Sequence, residues 1–86
     1  MEIDYSTQYK KLYKKLRGKK KEYVDKAMGL FLKNPFDPKL KNHLLQGNMS
    51  GIRSISAAYD LRILYEEVNG HTRVLMLKIG KHDEVY

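Results

Sequence analysis

Residues 51–86 read GIRSISAAYDLRILYEEVNGHTRVLMLKIGKHDEVY. Three runs in this segment have the residue content and alternation of strands, and they cover Ile52–Ala57, Leu61–Val68 and Thr72–Ile79. Asn69–Gly70 joins the last two runs. An Asn-Gly pair between apolar runs predicts a tight hairpin, because both central residues of such a turn need positive φ. The segment therefore predicts a meander of three consecutive strands.

Alternation in the central run predicts which side chains face a core. Leu61, Ile63 and Tyr65 share one face of the strand, and Arg62 projects from the other. A sheet with one apolar face needs a second layer of structure to cover it. We expect that layer to come from the N-terminal half of the chain.

The N-terminal half predicts a short strand and two helices. Met1–Tyr5 has the pattern of a strand, and Ser6 can cap the helix that follows. The first helix is expected to end at Gly18, and the second to cover Lys19–Lys33. Each has an apolar stripe at helical spacing, formed in the first helix by Tyr9, Leu12, Tyr13 and Leu16, and in the second by Tyr23, Ala27, Leu30 and Phe31, widened by Val24, Met28 and Leu32.

Two prolines end the helical half. Asn34–Pro35 and Asp37–Pro38 stop the second helix, because a residue before proline is disfavoured in the α region. The segment 34–48 is predicted to be irregular, with at most a helical turn at Leu40–Leu45. The order β-α-α-β-β-β predicts one α+β domain over residues 1–86, in which an antiparallel two-helix hairpin packs on a mostly antiparallel twisted sheet and leaves the other sheet face open.

Composition narrows the class of protein. The 86 residues favour a single domain, and the absence of cysteine excludes a disulfide framework and a thiolate metal site. The start of the chain lacks a signal-peptide pattern, and no run approaches the roughly 18 apolar residues of a membrane span. We therefore expect a cytoplasmic protein with no membrane partner. A net charge of +7 favours a polyanionic partner such as nucleic acid, or serves only to keep the domain soluble.

Four short motifs keep a characteristic order and spacing in the second half of the chain. They are His43-Leu44-Leu45-Gln46-Gly47, Gly51-Ile52-Arg53, Asp60-Leu61-Arg62-Ile63-Leu64-Tyr65, and Ile79-Gly80-Lys81-His82-Asp83-Glu84-Val85-Tyr86. Together they resemble the RelE/ParE superfamily of bacterial toxins, and within it the YafQ branch of the RelE-type mRNA interferases. The resemblance covers nearly the whole chain in element order and about its last half in motif.

The resemblance implies a toxin of a type II toxin–antitoxin system with the RelE-like microbial RNase fold. Such toxins enter the A site of the 70S ribosome and cut mRNA without a metal or other cofactor. The ribose 2′-hydroxyl attacks the adjacent phosphate and expels the 5′-oxygen. A cognate antitoxin, encoded beside the toxin, wraps it and blocks the site.

The resemblance also implies the site residues. His43, Asp60 and Arg62 match a histidine before a Leu-Gln-Gly segment, an acidic residue that opens the central strand, and the strand arginine. His82 and Tyr86 match a histidine and an aromatic residue at the C-terminus. Two positions depart from the YafQ type: Ser56 replaces a further histidine and Leu61 replaces an aromatic residue.

These residue types suit the chemistry of 2′-hydroxyl attack. Histidine can remove or supply a proton near neutral pH, and a fixed arginine or lysine can stabilise the extra charge on phosphorus. The residues alone also allow simpler roles. His43 could be a solvated loop residue, Asp60 a polar turn residue, and Arg62 a cross-strand partner of an acidic neighbour. Tyr86 could stack on a base or be a disordered terminus.

Arg53, Lys78 and Lys81 are the candidates for substrate binding, and the first two have ambiguous orientations. A strict two-residue turn sets Arg62 opposite Leu77 and leaves Lys78 on the other face, whereas a one-residue bulge brings Lys78 level with Arg62. The three histidines, of which His71 is expected to be exposed beside the turn, are too scattered to predict a zinc site.

Two other functions remain open. A ParE-like toxin that poisons gyrase by binding needs no histidine at positions 43 and 82. A basic RNA- or ribosome-binding module needs no cleavage at all. The lysines of the helical half form either a solvated surface or a contact with ribosomal RNA phosphates, and they are Lys10, Lys11, Lys14, Lys15, Lys19, Lys20 and Lys21.

Overall fold

The computed structural model describes residues 1–68 and 72–86 of the chain. Its elements are β1 (Glu2–Tyr5), α1 (Thr7–Lys15), α2 (Lys19–Lys33), β2 (His43–Leu44), β3 (Ile52–Ala58), β4 (Leu61–Val68), β5 (Arg73–Gly80) and α3 (His82–Val85). The predicted α+β class is confirmed. The predicted turn at Asn69–Gly70 and the predicted exposure of His71 lie outside the described residues. No helix within those two ranges is long and apolar enough to cross a membrane.

The five strands form one sheet in the order β1-β5-β4-β3-β2. The pairs β2–β3, β3–β4 and β4–β5 are antiparallel, and the last two form the predicted meander. The N-terminal strand β1 pairs parallel with β5, so that Ile3 lies opposite Val74. Arg73 of β5 also forms ion pairs with Glu2 and Asp4 of β1. The first and last strands of the chain are therefore neighbours in the sheet.

Ser6 begins α1 and joins it to the sheet. Its hydroxyl accepts a hydrogen bond from the Tyr9 amide at 2.9 Å, which confirms the predicted N-cap, and donates to the Leu77 carbonyl of β5 at 2.8 Å. The helix ends at Lys15, so the predicted end at Gly18 is wrong. Gly18 instead precedes α2 with φ +58°, a conformation that glycine adopts at little cost.

The main core lies between the two long helices and one face of the sheet. The Phe31 ring on α2 meets the Tyr65 ring on β4 edge to face, with centroids 4.9 Å apart. The buried residues of the core are Tyr9, Val24, Ala27, Met28, Phe31, Leu40, Ile55, Leu61, Ile63, Tyr65, Val74, Met76 and Ile79. The predicted sheet face of Leu61, Ile63 and Tyr65 is confirmed.

The predicted inner stripe of α2 is partly wrong. The buried side chains of this helix are Val24, Ala27, Met28 and Phe31. Tyr23 is 39% exposed and Leu32 is 60% exposed. The long run of apolar residues in α2 permitted more than one rotation about the helix axis, and packing against β3 selects the rotation that buries Val24.

Two short elements were missing from the predicted order. Leu40–Leu45 does not form the helical turn that the sequence allowed: a 3-10 turn at Pro38–Leu40 is followed by the edge strand β2 at His43–Leu44. The one-turn helix α3, of which His82 is the first residue, was also not predicted. Both short elements carry candidate site residues.

Candidate active site

Sheet register brings candidate residues from different strands to the face opposite the main core. His43 on β2 lies opposite Ser54 on β3, Ser54 lies opposite Leu64 on β4, and Leu64 lies opposite Lys78 on β5. Directly paired residues of a sheet project from the same face. His43 and Lys78 therefore share a face, although the strands that carry them are separated by two others.

A bulge between β4 and β5 turns Lys78 toward this face. Tyr65 pairs with Met76 but Leu64 pairs with Lys78, so that Leu77 is the extra residue. The register expected from a strict two-residue turn, with Arg62 opposite Leu77, is therefore wrong. Arg62 lies opposite Gly80 and shares its face with Lys78, which is displaced from it by two positions along the strand.

The Arg62 guanidinium is held at the β3–β4 connection. Its Nη1 donates to the carbonyl oxygens of Ala58 at 3.1 Å and Tyr59 at 3.4 Å, and to the Ser56 hydroxyl at 3.5 Å. Among the described residues, the hydrogen bonds of this side chain all come from Nη1. The group is therefore fixed through one nitrogen while Nε and Nη2 keep donors for an anion.

The tautomer of His43 follows from its hydrogen bond. Its Nδ1 lies 2.9 Å from the Lys41 carbonyl oxygen, which can only accept, so Nδ1 carries the proton in this contact. Lys41 itself has a left-handed conformation with φ +50°. In the neutral ring Nε2 is then left with a free electron pair, as a general base requires.

His82 is presented by α3, which several contacts fix on the sheet. The Asp60 carboxylate accepts a hydrogen bond from the His82 amide at 3.2 Å and so joins the start of α3 to the β3–β4 turn. Gly80 lets the helix approach closely, because a Cβ at that position would lie 3.1 Å from the Glu84 Cβ and 3.3 Å from a Val85 methyl group. Val85 is buried.

The two histidines line one groove. Its volume is ≈ 410 Å³, and its walls are His43, Leu45, Gln46, Met49, His82 and Tyr86. The rings of His82 and Tyr86 meet edge to face with centroids 4.3 Å apart. We call this the histidine groove. It lies between the segment 43–49, which precedes β3, and the C-terminus of the chain.

Five predicted site residues do not line the histidine groove. Arg62 and Lys78 share its sheet face, and the other three are Asp60, Lys81 and Arg53. Asp60 and Lys81 line a second groove of ≈ 540 Å³ with the basic residues Lys15, Arg17 and Lys20. Arg53 pairs with Tyr65 in the sheet and therefore lies on the core side. There its guanidinium forms an ion pair with Glu67 at 3.1 Å and stacks on the Phe36 ring, 5.2 Å from the centroid.

Tyr65 explains how Arg53 is held on that side. Burial raises the pKa of the Tyr65 hydroxyl, which keeps it neutral, and this hydroxyl accepts a hydrogen bond from the Asn42 amide at 2.6 Å. The Asn42 carbonyl oxygen in turn accepts from Arg53 at 3.2 Å. The structure thus brings together His43, Arg62, Lys78, His82 and Tyr86 on one face, and leaves Arg53 on the other.

Sequence reasoning missed Gln46 and Met49 in the groove wall and Ser54 beneath it. Gln46 belongs to the His43–Gly47 motif, but nothing in its spacing indicated that it would line a groove. Ser54 gave one usable signal, since it alternates with the apolar Ile55 and so had to face away from the core. No group of three or more histidine, aspartate or glutamate side chains in residues 1–68 and 72–86 is placed to hold a metal ion.

A family model described as the bacterial toxin of a type II toxin–antitoxin system, YafQ, matches residues 1–86. The chain belongs to this family. It is therefore the toxin component of a type II toxin–antitoxin system. A comparison with curated protein sequences gives no significant match.

Solved structures of toxins have the same fold as this chain. YafQ from E. coli strain BL21(DE3) has a TM-score of 0.80 at 22% identity, covering 99% of this chain and 97% of its own. YafQ in the E. coli DinJ–YafQ toxin–antitoxin complex has a TM-score of 0.78 at 25% identity, covering 99% and 96%. A YoeB/ParE toxin from Agrobacterium tumefaciens has a TM-score of 0.78 at 18% identity, covering 95% and 99%.

Proposed function

We propose that this YafQ-family toxin is a metal-independent endoribonuclease that cuts mRNA in the ribosomal A site. The observation that carries the proposal is the histidine groove, where His43 and His82 line one opening on the sheet face that also bears Arg62 and Lys78. Two imidazoles on a sheet face that also bears two cations meet the needs of RNA cleavage through the 2′-hydroxyl.

In the proposed reaction His43 is the general base. Its free Nε2 takes the proton of the ribose 2′-hydroxyl, and the 2′-oxygen forms a bond to the adjacent phosphorus. The bond from phosphorus to the 5′-oxygen breaks, and His82 supplies the proton that the leaving oxygen needs. The products are a 2′,3′-cyclic phosphate and a 5′-hydroxyl end. Proton transfer by positioned side chains contributes roughly 10²- to 10⁴-fold to such steps.

Arg62 and Lys78 stabilise the negative charge that develops on the phosphate oxygens. Arg62 suits this role because its Nη1 is already committed to the β3–β4 turn, so little reorganisation accompanies binding. Lys81 is exposed next to His82 and contacts the RNA backbone further along the strand. Asp60 acts through the His82 amide as a positioning residue. Arg53, on the opposite face, has no contact with the same phosphate in this scheme.

Tyr86 provides a stacking surface for an unpaired base. This residue is 40% exposed and lines the histidine groove beside His82. Proteins commonly hold single-stranded RNA by stacking bases on aromatic side chains. The exposed lysines of α1 and α2 contribute long-range attraction to ribosomal RNA.

The proposal includes a cognate antitoxin and a cytoplasmic site of action. The DinJ–YafQ complex of E. coli is an assembly of a toxin of this family with its antitoxin. An antitoxin that covers the histidine groove blocks cleavage by excluding RNA. Copurification of the product of the adjacent reading frame with this toxin tests the partner.

Primer extension on translated mRNA, after induction of the toxin, tests the nuclease. We expect new 5′ ends with the native chain and none with a variant carrying both His43→Ala and His82→Ala. Toxicity that survives this double replacement, without new ends, supports gyrase poisoning instead. Ribosome binding without new ends from the native chain supports a non-catalytic RNA-binding module.

A further inference from the structure

Ser54 lies under the histidine groove and has an unusual environment for a polar residue. Its side chain is fully buried. Among the polar and charged residues within 1–68 and 72–86, Ser54 is the one that is buried. It is on the sheet face opposite the main core, directly between His43 and Leu64 in the strand register. A buried hydroxyl needs a hydrogen-bond partner, since an unpaired one is costly.

The partner of Ser54 is the last residue of the chain. The Tyr86 hydroxyl donates to Ser54 Oγ at 2.5 Å across 32 positions of sequence. The ring of the same tyrosine supports the His82 ring edge to face. Ser54 is therefore joined to His82 through one hydrogen bond and one ring contact.

Helix α3 needs such support because it has only four residues. A helix this short does not persist on its own in water. Asp60 accepts a hydrogen bond from its first amide, and Val85, its last residue, is buried. The hydrogen bond from Tyr86 to Ser54 holds the residue that follows α3, and the ring of this tyrosine contacts the ring of His82 at the start of the helix.

We propose that Ser54 is a positioning residue that sets the separation between the two histidines of the groove. Ser54 is the cross-strand neighbour of His43 and accepts a hydrogen bond from Tyr86. The His43 side and the His82 side of the groove are therefore both held relative to this one residue of β3. This inference rests on the proposed nuclease function. Small errors in the placement of reacting groups reduce rates strongly, by about 10²-fold for an error of about 1 Å.

Three variants test the proposal. Tyr86→Phe removes the hydroxyl and keeps the ring, and Ser54→Ala removes the acceptor with little change in volume. The matched control is Tyr59→Phe, because that side chain is 97% exposed and also loses only a hydroxyl. We expect kcat for RNA cleavage to fall about tenfold in each of the first two variants, with KM within about twofold, and no change in the control.

The combined variant shows whether Ser54 and Tyr86 affect kcat through one shared hydrogen bond or independently of each other. If the two groups act through one bond, Ser54→Ala with Tyr86→Phe is about as slow as either variant alone. If the fold-loss in kcat of the combined variant equals the product of the two single fold-losses, the proposal is overturned. An increase in KM without a fall in kcat also overturns it, because that result indicates weaker stacking instead of misplaced histidines.

Amide hydrogen exchange supplies a measurement that does not depend on activity. The Tyr86 amide donates a hydrogen bond to the His82 carbonyl at 3.0 Å, so the exchange rate of this amide reports whether α3 stays folded. We expect about tenfold faster exchange in Tyr86→Phe, with an unchanged thermal midpoint. Unchanged exchange and unchanged cleavage overturn the proposal. A native chain that does not cleave RNA contradicts the nuclease, and the exchange result then still decides whether Ser54 holds α3.

Discussion

Lys78 on β5 lies directly opposite Leu64 on β4. The bulge at Leu77 makes this pairing possible, and the Leu77 carbonyl accepts a hydrogen bond from the Ser6 hydroxyl at 2.8 Å. The N-cap of α1 thus helps to hold the register that turns Lys78 toward the face of His43. A residue at the far end of the chain in sequence supports the geometry of the candidate site.

Replacing Lys78 with methionine should weaken cleavage while preserving the fold. Methionine keeps an unbranched stem but loses the charge that faces the phosphate, and a charged hydrogen bond contributes about 1.5–3 kcal/mol. We expect kcat/KM to fall roughly 10- to 100-fold. The control is Lys39→Met, since Lys39 is exposed on the 3-10 turn away from the groove. Equal activity of the two variants in a cleavage assay contradicts the role of Lys78.

The long elements of the fold were predictable because periodicity and end signals agreed. The alternation of Leu61, Ile63 and Tyr65 gave the core face of β4, and Ser6 gave the start of α1. Elements β2 and α3 have two and four residues, too few for any period to appear. They form because β3 and the sheet face hold them, which is tertiary information.

The candidate site was predictable as a set of residue types but not as an arrangement. His43, Arg62, His82 and Tyr86 were identified by their motifs, and the structure places them on one side of the sheet. The orientation of Lys78 depends on a single extra residue in β5. Arg53 lies two residues before the buried Ile55, so alternation places it on the core side, where Glu67 and Asn42 hold it. The extra residue in β5 has no signature in local sequence.

His82→Ala should abolish cleavage and leave the fold intact. The side chain is exposed, so its removal costs little stability, whereas loss of a proton donor reduces the rate by about 10²- to 10⁴-fold. Single-turnover cleavage measures the rate, and circular dichroism with thermal unfolding measures the fold. Cleavage at the native rate would remove His82 from the mechanism.

Phe31→Ala should destabilise the protein far more than Phe36→Ala. Phe31 is fully buried against Tyr65, and truncating such a side chain costs about 3–5 kcal/mol. Phe36 is 56% exposed and contacts the Arg53 guanidinium, so its loss should cost about 1 kcal/mol or less. Urea unfolding of both variants measures the difference. Similar midpoints would contradict the assignment of Phe31 to the centre of the core.

The contact between Glu2 and Arg73 should make a small pH-dependent contribution to stability. The Arg73 guanidinium lowers the pKa of the Glu2 carboxyl from its ordinary value of 4.5, first by hydrogen bonding and then by charge. A lowered pKa in the folded state stabilises the protein above pH 4.5, and this effect is lost as the pH falls through the folded-state value.

Glu2→Gln tests this contribution. The variant should unfold at a slightly lower temperature than the native chain at pH 7, and the two midpoints should converge in acid. The pair is exposed, so the difference should also shrink at about 1 M salt, where charges are screened within about 3 Å. A difference that persists in acid would mean that the mutation acts through something other than this charge.

Removal of metal ions from the toxin should leave cleavage unchanged. The proposed reaction uses imidazoles and cations of the chain. In the part of the molecule that the structure describes, no three side chains are grouped so that they could hold a metal ion. Ribosomes need magnesium, so the toxin is treated with chelator alone, freed of it by gel filtration, and then added to a translation reaction. We expect the same rate of mRNA cleavage as with untreated toxin. A loss of activity that one added transition metal restores would contradict a metal-independent mechanism, and a parallel sample passed through the column without chelator controls for handling.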